Sequence, residues 1–288
     1  DDFWSRKIHK LIVQTVNDNS EGKITLESLM ILLGVFFRFF RFKSFFTYMK
    51  VVLGSLMKPW NKALFLDYLL NEVHLGLIKK NKPNFTTIFL NAGAHIQHHY
   101  FHNSEFNETG ASNPNWYIKS KYDPILDMLE IYDSIVGDYL NKNFFVVVST
   151  GLSQTPHDKT TFYYRLVNHN SFLEKFNINY QKIYPRMTRD FLVTFKDNVD
   201  RDQAAISFSN FFSISDDERI FNEIEVREKS LFVTLTYPNE IKNNMQFRYG
   251  DKIFKMSDHV VFVAIKNGEH SPIGFTLLPE HYTSDKHN

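Results

Sequence analysis

The chain has 288 residues, of which 43% are hydrophobic and 23% charged, with a formal net charge of +1 and no cysteine. That length and composition suit one large core-forming domain, or one domain with a sizeable insertion, and exclude a disordered chain. Lack of Cys excludes disulfides, thiolate metal sites and a Cys nucleophile, and the near-neutral charge gives no electrostatic basis for a nucleic-acid partner. Neither property sets a compartment.

The first residues, DDFWSRKIHK, contain no apolar stretch of signal-peptide type and no initiator Met, and read as part of a processed or longer chain. Residues 3–16 predict a short amphipathic helix with Phe3, Ile8, Leu11, Ile12 and Val16 on one face. A polar loop follows at 17–23. Residues 26–57 are dense in apolar and aromatic side chains, and Arg38, Arg41, Lys43 and Lys50 recur at roughly helical spacing. Two readings fit this stretch. One is a pair of buried or half-buried helices with basic outer faces. The other is a membrane-surface hairpin, with aromatics inserted and Arg and Lys at headgroup level.

Pro59 ends that region. Residues 60–82 predict a helix, with Leu64, Tyr68, Leu69, Val73 and Leu77 at helical spacing and Lys79, Lys80 and Lys82 near its C-terminal end. Pro83 closes it. Next comes FTTIFLNAGAHIQHHYFH, Phe85 to His102. It predicts a buried strand over Thr86–Leu90, a small-residue turn over Asn91–Ala94, and a cluster of His95, His98, His99 and His102. Residues 103–116 read as a loop or lid. A helix is predicted over 122–140, with Asp123 as N-cap and Pro124 at its first position. Phe144–Val148 is the second predicted buried strand and runs into the polar stretch STGLSQTPHD at 149–158.

This helix–strand–loop–helix–strand order predicts an α/β fold, a mostly parallel sheet flanked by helices, with both strand ends opening on one crevice. The core comprises a helical lead and sheet at 1–159 and a return to the sheet at 256–288. An α+β insertion occupies 160–255, with a strand at 189–197, a helix at 204–214 and a strand at Leu231–Thr236. The return carries the strand Val260–Ile265 and a polar turn, Lys266–His270.

The histidines are the first candidates for chemistry. In a helix, spacings of three and four bring His95, His98, His99 and His102 together, and imidazole suits both metal binding and proton transfer near neutral pH. The crevice brings Ser149, Thr150, Ser153, Gln154 and His157 to the same place. His270 follows a strand in GEHSPIG, between Gly268 and Gly274. Arg165, Arg186 and Arg189 are candidates for forked contacts with an anion. GxGxxG, P-loop, HExxH and GxSxG motifs are absent.

FTTIFLNAGAHIQHHY resembles the strand-end motif of the alkaline phosphatase superfamily, especially its phosphodiesterase and sulfatase-like branches. There a strand leads to an Asp and then, past three residues, to a metal-binding His. Asn91 stands here in the place of the Asp, and His95 matches the His. FFVVVSTGLSQ resembles the next strand, with Thr150 and Gly151 where the family has Asp-His, and GEHSPIG resembles the late segment with its final metal-binding His at His270. The family's early strand and its Thr or Ser nucleophile have no counterpart before residue 60 and are expected upstream, or lacking.

The resemblance implies an alkaline-phosphatase-like architecture and a hydrolase acting on phosphate or sulfate esters of a small anionic substrate, such as a glycan or lipid-linked group. It implies a divalent metal such as zinc at His95, His270 and Asn91. Catalytic roles then fall to His95, His99 and Thr150, and anion contacts to Asn91, Ser153, Gln154 and Arg165. Two alternatives stand beside it. One is a metal-independent histidine enzyme on the same scaffold. The other is a non-catalytic anion-binding protein with peripheral membrane contact. No specific protein partner is predicted.

Overall fold

The structure is a computed structural model that describes residues 26–142, 144–186 and 188–279. The predicted helix at 3–16 lies outside them. The chain divides into two compact units, Asp1–Asp158 with Asn267–Asn288, and Lys159–Lys266.

The first unit is helical. Its elements are α1 (Leu26–Phe39), α2 (Phe45–Gly54), α3 (Asn61–Asn81), α4 (Ala92–Tyr100) and α5 (Pro124–Leu140). Leu64, Tyr68 and Leu75 of α3 pack with Ile96 of α4 and Ile125, Met128 and Ile135 of α5 in one buried cluster. Tyr48 of α2 joins it, edge-on to Phe36, Phe65 and Tyr68. Helix α3 ends where Lys82 takes a left-handed conformation (φ 47°) and donates its N–H to the Ile78 carbonyl, just before Pro83. Helix α5 starts as its sequence predicts: the Asp123 carboxylate accepts the N–H groups of Ile125 and Leu126, with Pro124 at the first position.

Contacts between α3 and α5 fall in the same order along both helices. Trp60 meets Asp127, Asp67 meets Tyr132, Asn71 meets Asp138 and His74 meets Tyr139. The two helices therefore run in the same direction. An ionic cluster locks them to the turn after α1. The Arg41 guanidinium binds both Glu72 and Asp138, Lys43 adds a second cation to Asp138, and the Ser44 hydroxyl donates to Glu72. Arg41, expected on an outer basic face, thus turns inward because two buried carboxylates need a partner.

The second unit is built of small antiparallel sheets. Strands β3 (Lys182–Pro185), β4 (Asp190–Thr194), β7 (Ser230–Thr234) and β6 (Glu223–Arg227) form a four-stranded sheet in the order β3-β4-β7-β6. Strands β5 (Phe211–Ser213), β8 (Gln246–Tyr249) and β9 (Lys252–Lys255) form a three-stranded one. Helices α6 (His169–Lys175) and α7 (Asn198–Ser209) complete the unit, whose core holds Phe172, Phe191, Phe208, Phe211, Phe221 and Phe247. The helix expected over 204–214 starts earlier, because Asp197 caps it through the Asp200 N–H, and it stops before Phe211, which enters β5. Strands β2 (Ser153–Leu166) and β10 (Val260–Ser271) pair with each other, and each runs through both units. Short β1 (Val148–Ser149) pairs with β11 (Thr276–Leu277).

The mostly parallel sheet flanked by helices is not formed. Among the described residues the sheets have two to four strands, and the pairs β1–β11, β3–β4, β4–β7, β6–β7, β5–β8 and β8–β9 are all antiparallel. The two segments expected to found a parallel core fail to pair. Thr86–Leu90 forms no strand, and of Phe144–Val148 only Val148 enters one. Phe85 and Phe89 stay 83% and 79% exposed. A short apolar run has the same sequence signature whether it is buried on both faces or lies with one face on helices, and here only the second is realised. The two polar stretches expected as strand-end loops are also strand: Ser153, Gln154 and His157 lie on β2, and Asn267 to His270 lie on β10.

Candidate functional site

The segment after Phe85 runs back along α3. Thr86 meets His74 near one end of that helix, and Asn91 and Ala92 meet Asp67, seven residues nearer its start. This return delivers the chain to the start of α4, whose first N–H groups have no partner within the helix. Asp67 supplies one. Its carboxylate accepts from Ala92 N at 2.8 Å, from Asn91 N at 3.3 Å and from the Tyr132 hydroxyl at 2.8 Å. The same hydroxyl accepts the Gly93 N–H at 2.7 Å. Burial raises the Asp67 pKa, and these three bonds oppose the rise. The small-residue run is explained by this packing: a Cβ on Gly93 would lie 3.0 Å from Met128 Sδ and 3.1 Å from the Tyr132 hydroxyl. The sequence marks neither Asp67 nor Tyr132 as a site residue. The available signal was the placing of Asp67, Asn71 and Glu72 at core-facing positions of an otherwise apolar helix stripe.

Helix α4 presents the histidines. His95 and His99, one turn apart, stack edge-on with ring centroids 4.6 Å apart, and His98 lies beside His99 at 6.4 Å. His98 reaches β10. Its Nε2 lies 3.0 Å from His270 Nε2, and its Nδ1 lies 3.3 Å from the Gly268 carbonyl. Gly268 is required there, since a Cβ would lie 2.6 Å from the Gln97 carbonyl oxygen and 2.7 Å from Gln154 Oε1. Gln154 donates its Nε2 to the Ala94 carbonyl at 3.2 Å, and its buried Oε1 has no partner among the described residues. Desolvation by the surrounding protein, and then the charge of His98, lower the His95 pKa below the ordinary histidine value, while its ring keeps contact with solvent.

His102 leaves this array. It lies in the tighter 3-10 turn Phe101–Asn103, is buried, and donates Nε2–H to the His157 carbonyl at 2.8 Å. Burial lowers its pKa, and its Nδ1 has no partner among the described residues. Asn267, fully buried on β10, accepts the His102 N–H and exchanges paired side-chain bonds with Asn113. Asn113 in turn donates to Asn103. These amides fasten the 103–116 segment, expected as a loop or lid, to β10.

Of the other expected site residues, Asn91 is exposed, and its carbonyl accepts the His95 N–H at 3.2 Å. Thr150 uses its hydroxyl to accept the Phe275 N–H at 3.0 Å, which fixes the β1–β11 pairing. Ser153 begins β2. Arg165 belongs to the second unit, where burial of His169, and then the charge of Arg165, push the His169 pKa down to about 4. Arg189 stacks over Tyr163 at 4.2 Å in the same unit.

A divalent cation needs several carboxylate or imidazole ligands at one point. Among the described residues no three His, Cys, Asp or Glu side chains converge in that way. Of the expected donors, His270 places its Nε2 beside His98 and His95 stacks on His99. The arrangement suits proton transfer, because two imidazole nitrogens are in hydrogen-bond contact. Comparison with protein-family models, with curated proteins and with solved structures finds no match to this chain.

Proposed function

We propose that the chain carries a histidine proton-transfer site that hydrolyses a phosphate or sulfate ester of a small anionic substrate. The observation that carries the proposal is the contact of His98 Nε2 with His270 Nε2 at 3.0 Å. With Nδ1–H directed at the Gly268 carbonyl, His98 keeps a lone pair on Nε2, and His270 supplies the proton between them. A second proton makes the pair cationic and attracts an anionic ester. One imidazole then takes a proton from the attacking water while the other gives one to the leaving oxygen. The ester class rests on the likeness of the NAGAH stretch, Asn91–His95, to phosphoesterase and sulfatase motifs. The test is turnover of p-nitrophenyl phosphate, bis(p-nitrophenyl) phosphate and p-nitrophenyl sulfate by the wild type, His98→Ala and His270→Ala proteins. Turnover that neither substitution reduces rules the proposal out.

A second reading, peripheral attachment to an anionic membrane, is favoured by the surface of α1, α2 and the turns on either side of α2. Phe37, Phe42, Phe46, Leu53, Leu56 and Met57 are exposed there, Phe42 at 91% and Leu56 at 86%. Arg38 lies in the last turn of α1. No helix among the described residues is long and apolar enough to cross a membrane, so the contact would be interfacial. Flotation with phosphatidylserine-containing vesicles tests it. Wild-type protein is expected to float and a Phe42→Ser/Phe46→Ser variant to remain below. Wild-type protein that does not float ends this reading.

A further inference from the structure

We infer that residues 85–90 are a strand-acceptor edge, filled by the same segment of a second copy of this chain in antiparallel pairing centred on Ile88. Three observations lead there. The segment forms no strand, and no backbone–backbone hydrogen bond holds it among the described residues. Its side chains nevertheless alternate as in a strand. Thr86, although exposed, turns its hydroxyl to His74, Leu90 packs on the helical core and Ile88 is half-buried, whereas Phe85, Thr87 and Phe89 are exposed with no such contact to the helices among the described residues. Its sequence is rich in β-branched and aromatic residues, which favour strands.

The edge also lacks the usual defences. Natural sheet edges are blunted by Lys, Pro, bulges or inward-pointing charges. From Asn84 to Ala94 there is no charged residue and no proline. A strand pairing with this edge must be uncharged and β-forming, and the chain itself carries such a strand in the same residues. Self-pairing about a two-fold axis uses the same edge of both copies, so that contact closes after two copies.

The alternation fixes the register. Residues directly opposite in an antiparallel pair share a face of the sheet. Pairing Ile88 with Ile88 sets Thr86 opposite Leu90 and Thr87 opposite Phe89. The helix-facing side chains of both copies then lie on one side, with Phe85 and Phe89 of both on the other. A one-residue slip would set helix-facing residues against exposed ones. Phe85 and Phe89 together bring roughly 300–500 Å² per copy to such a contact, the apolar centre of an interface whose standard size is about 800 Å² per partner.

The test combines sedimentation equilibrium with hydrogen exchange on the wild type, Thr87→Pro and Phe89→Lys. Both substituted side chains are exposed, and circular dichroism checks that each variant keeps its fold. The wild type is expected to be a dimer with slow-exchanging amides within 85–90. Each variant is expected to weaken dimerisation at least about tenfold, a difference of about 1.4 kcal/mol, and to exchange fast there. A wild type that stays monomeric across the accessible concentrations overturns the inference. So does association, whether dimeric or larger, that persists unchanged in both variants.

Discussion

His98 and His270 stand 172 residues apart in the chain and place their Nε2 atoms 3.0 Å from each other. Helix α4 brings one and strand β10 the other, and the Gly268 carbonyl orients the first ring through Nδ1. Two neutral imidazoles in this contact need one donor and one acceptor, so the Gly268 bond decides which ring holds the shared proton.

Gly268 is therefore a sensitive position. Gly268→Ala places a methyl group 2.6 Å from a backbone oxygen, which cannot swing away as a side-chain end could. The expected loss of stability is about 1–3 kcal/mol, read as a lower melting temperature, together with reduced ester turnover. An unchanged melting temperature would show that the α4–β10 approach is looser than this geometry.

Asp67 and Tyr132 hold the start of α4. Asp67→Ala strips the Ala92 N–H of its buried acceptor and should cost about 1–3 kcal/mol in chemical denaturation. Tyr132→Phe removes one bond to Asp67 and one to the Gly93 N–H while keeping the ring, and should cost less.

Arg41 neutralises two carboxylates that are nearly excluded from solvent. Arg41→Met leaves Glu72 and Asp138 facing each other with only Lys43 as counter-charge. Breaking such a cluster from one side costs about 3–5 kcal/mol. A far smaller effect in urea unfolding would show that the cluster does not depend on Arg41.

His102 predicts acid sensitivity. Its pKa is lowered in the folded state by burial, only partly opposed by its bond to the His157 carbonyl. The unfolded chain then binds more protons across the window from the ordinary histidine value, about 6.5, down to the folded one. Stability rises with pH through that window and is lost as pH falls through it. His74 and His95, whose pKa values are also lowered, act with the same sign. Melting temperature should drop between about pH 7.5 and about pH 5, and the drop should shrink in His102→Gln, whose amide can still donate to the carbonyl.

The long helices were legible because each declares itself locally. Residues 60–82 and 122–140 carry their period, their prolines and one clear cap, and the structure shows α3 and α5 within a residue or two of those bounds. Thr86–Leu90 and Phe144–Val148 misled because apolar content signals burial but not a neighbouring strand, and pairing is a non-local property. The histidine spacing pointed to a cluster on α4. It could not say that His98 rather than His95 meets His270, since that depends on where β10 lies. It also could not say that the helix tightens after Tyr100 and turns His102 inward. Asp67 was hidden because a polar residue inside an apolar stripe has no short motif to mark it.

The most direct test of the central proposal is a double-mutant cycle on ester turnover with His98→Ala, His270→Ala and the double variant. Groups that act as one unit are strongly non-additive. Each single substitution should lower kcat at least about 100-fold, in the range of general acid–base catalysis, and the double variant should lose little more than either. Wild-type protein with no turnover, or single variants as active as the wild type, would contradict the account.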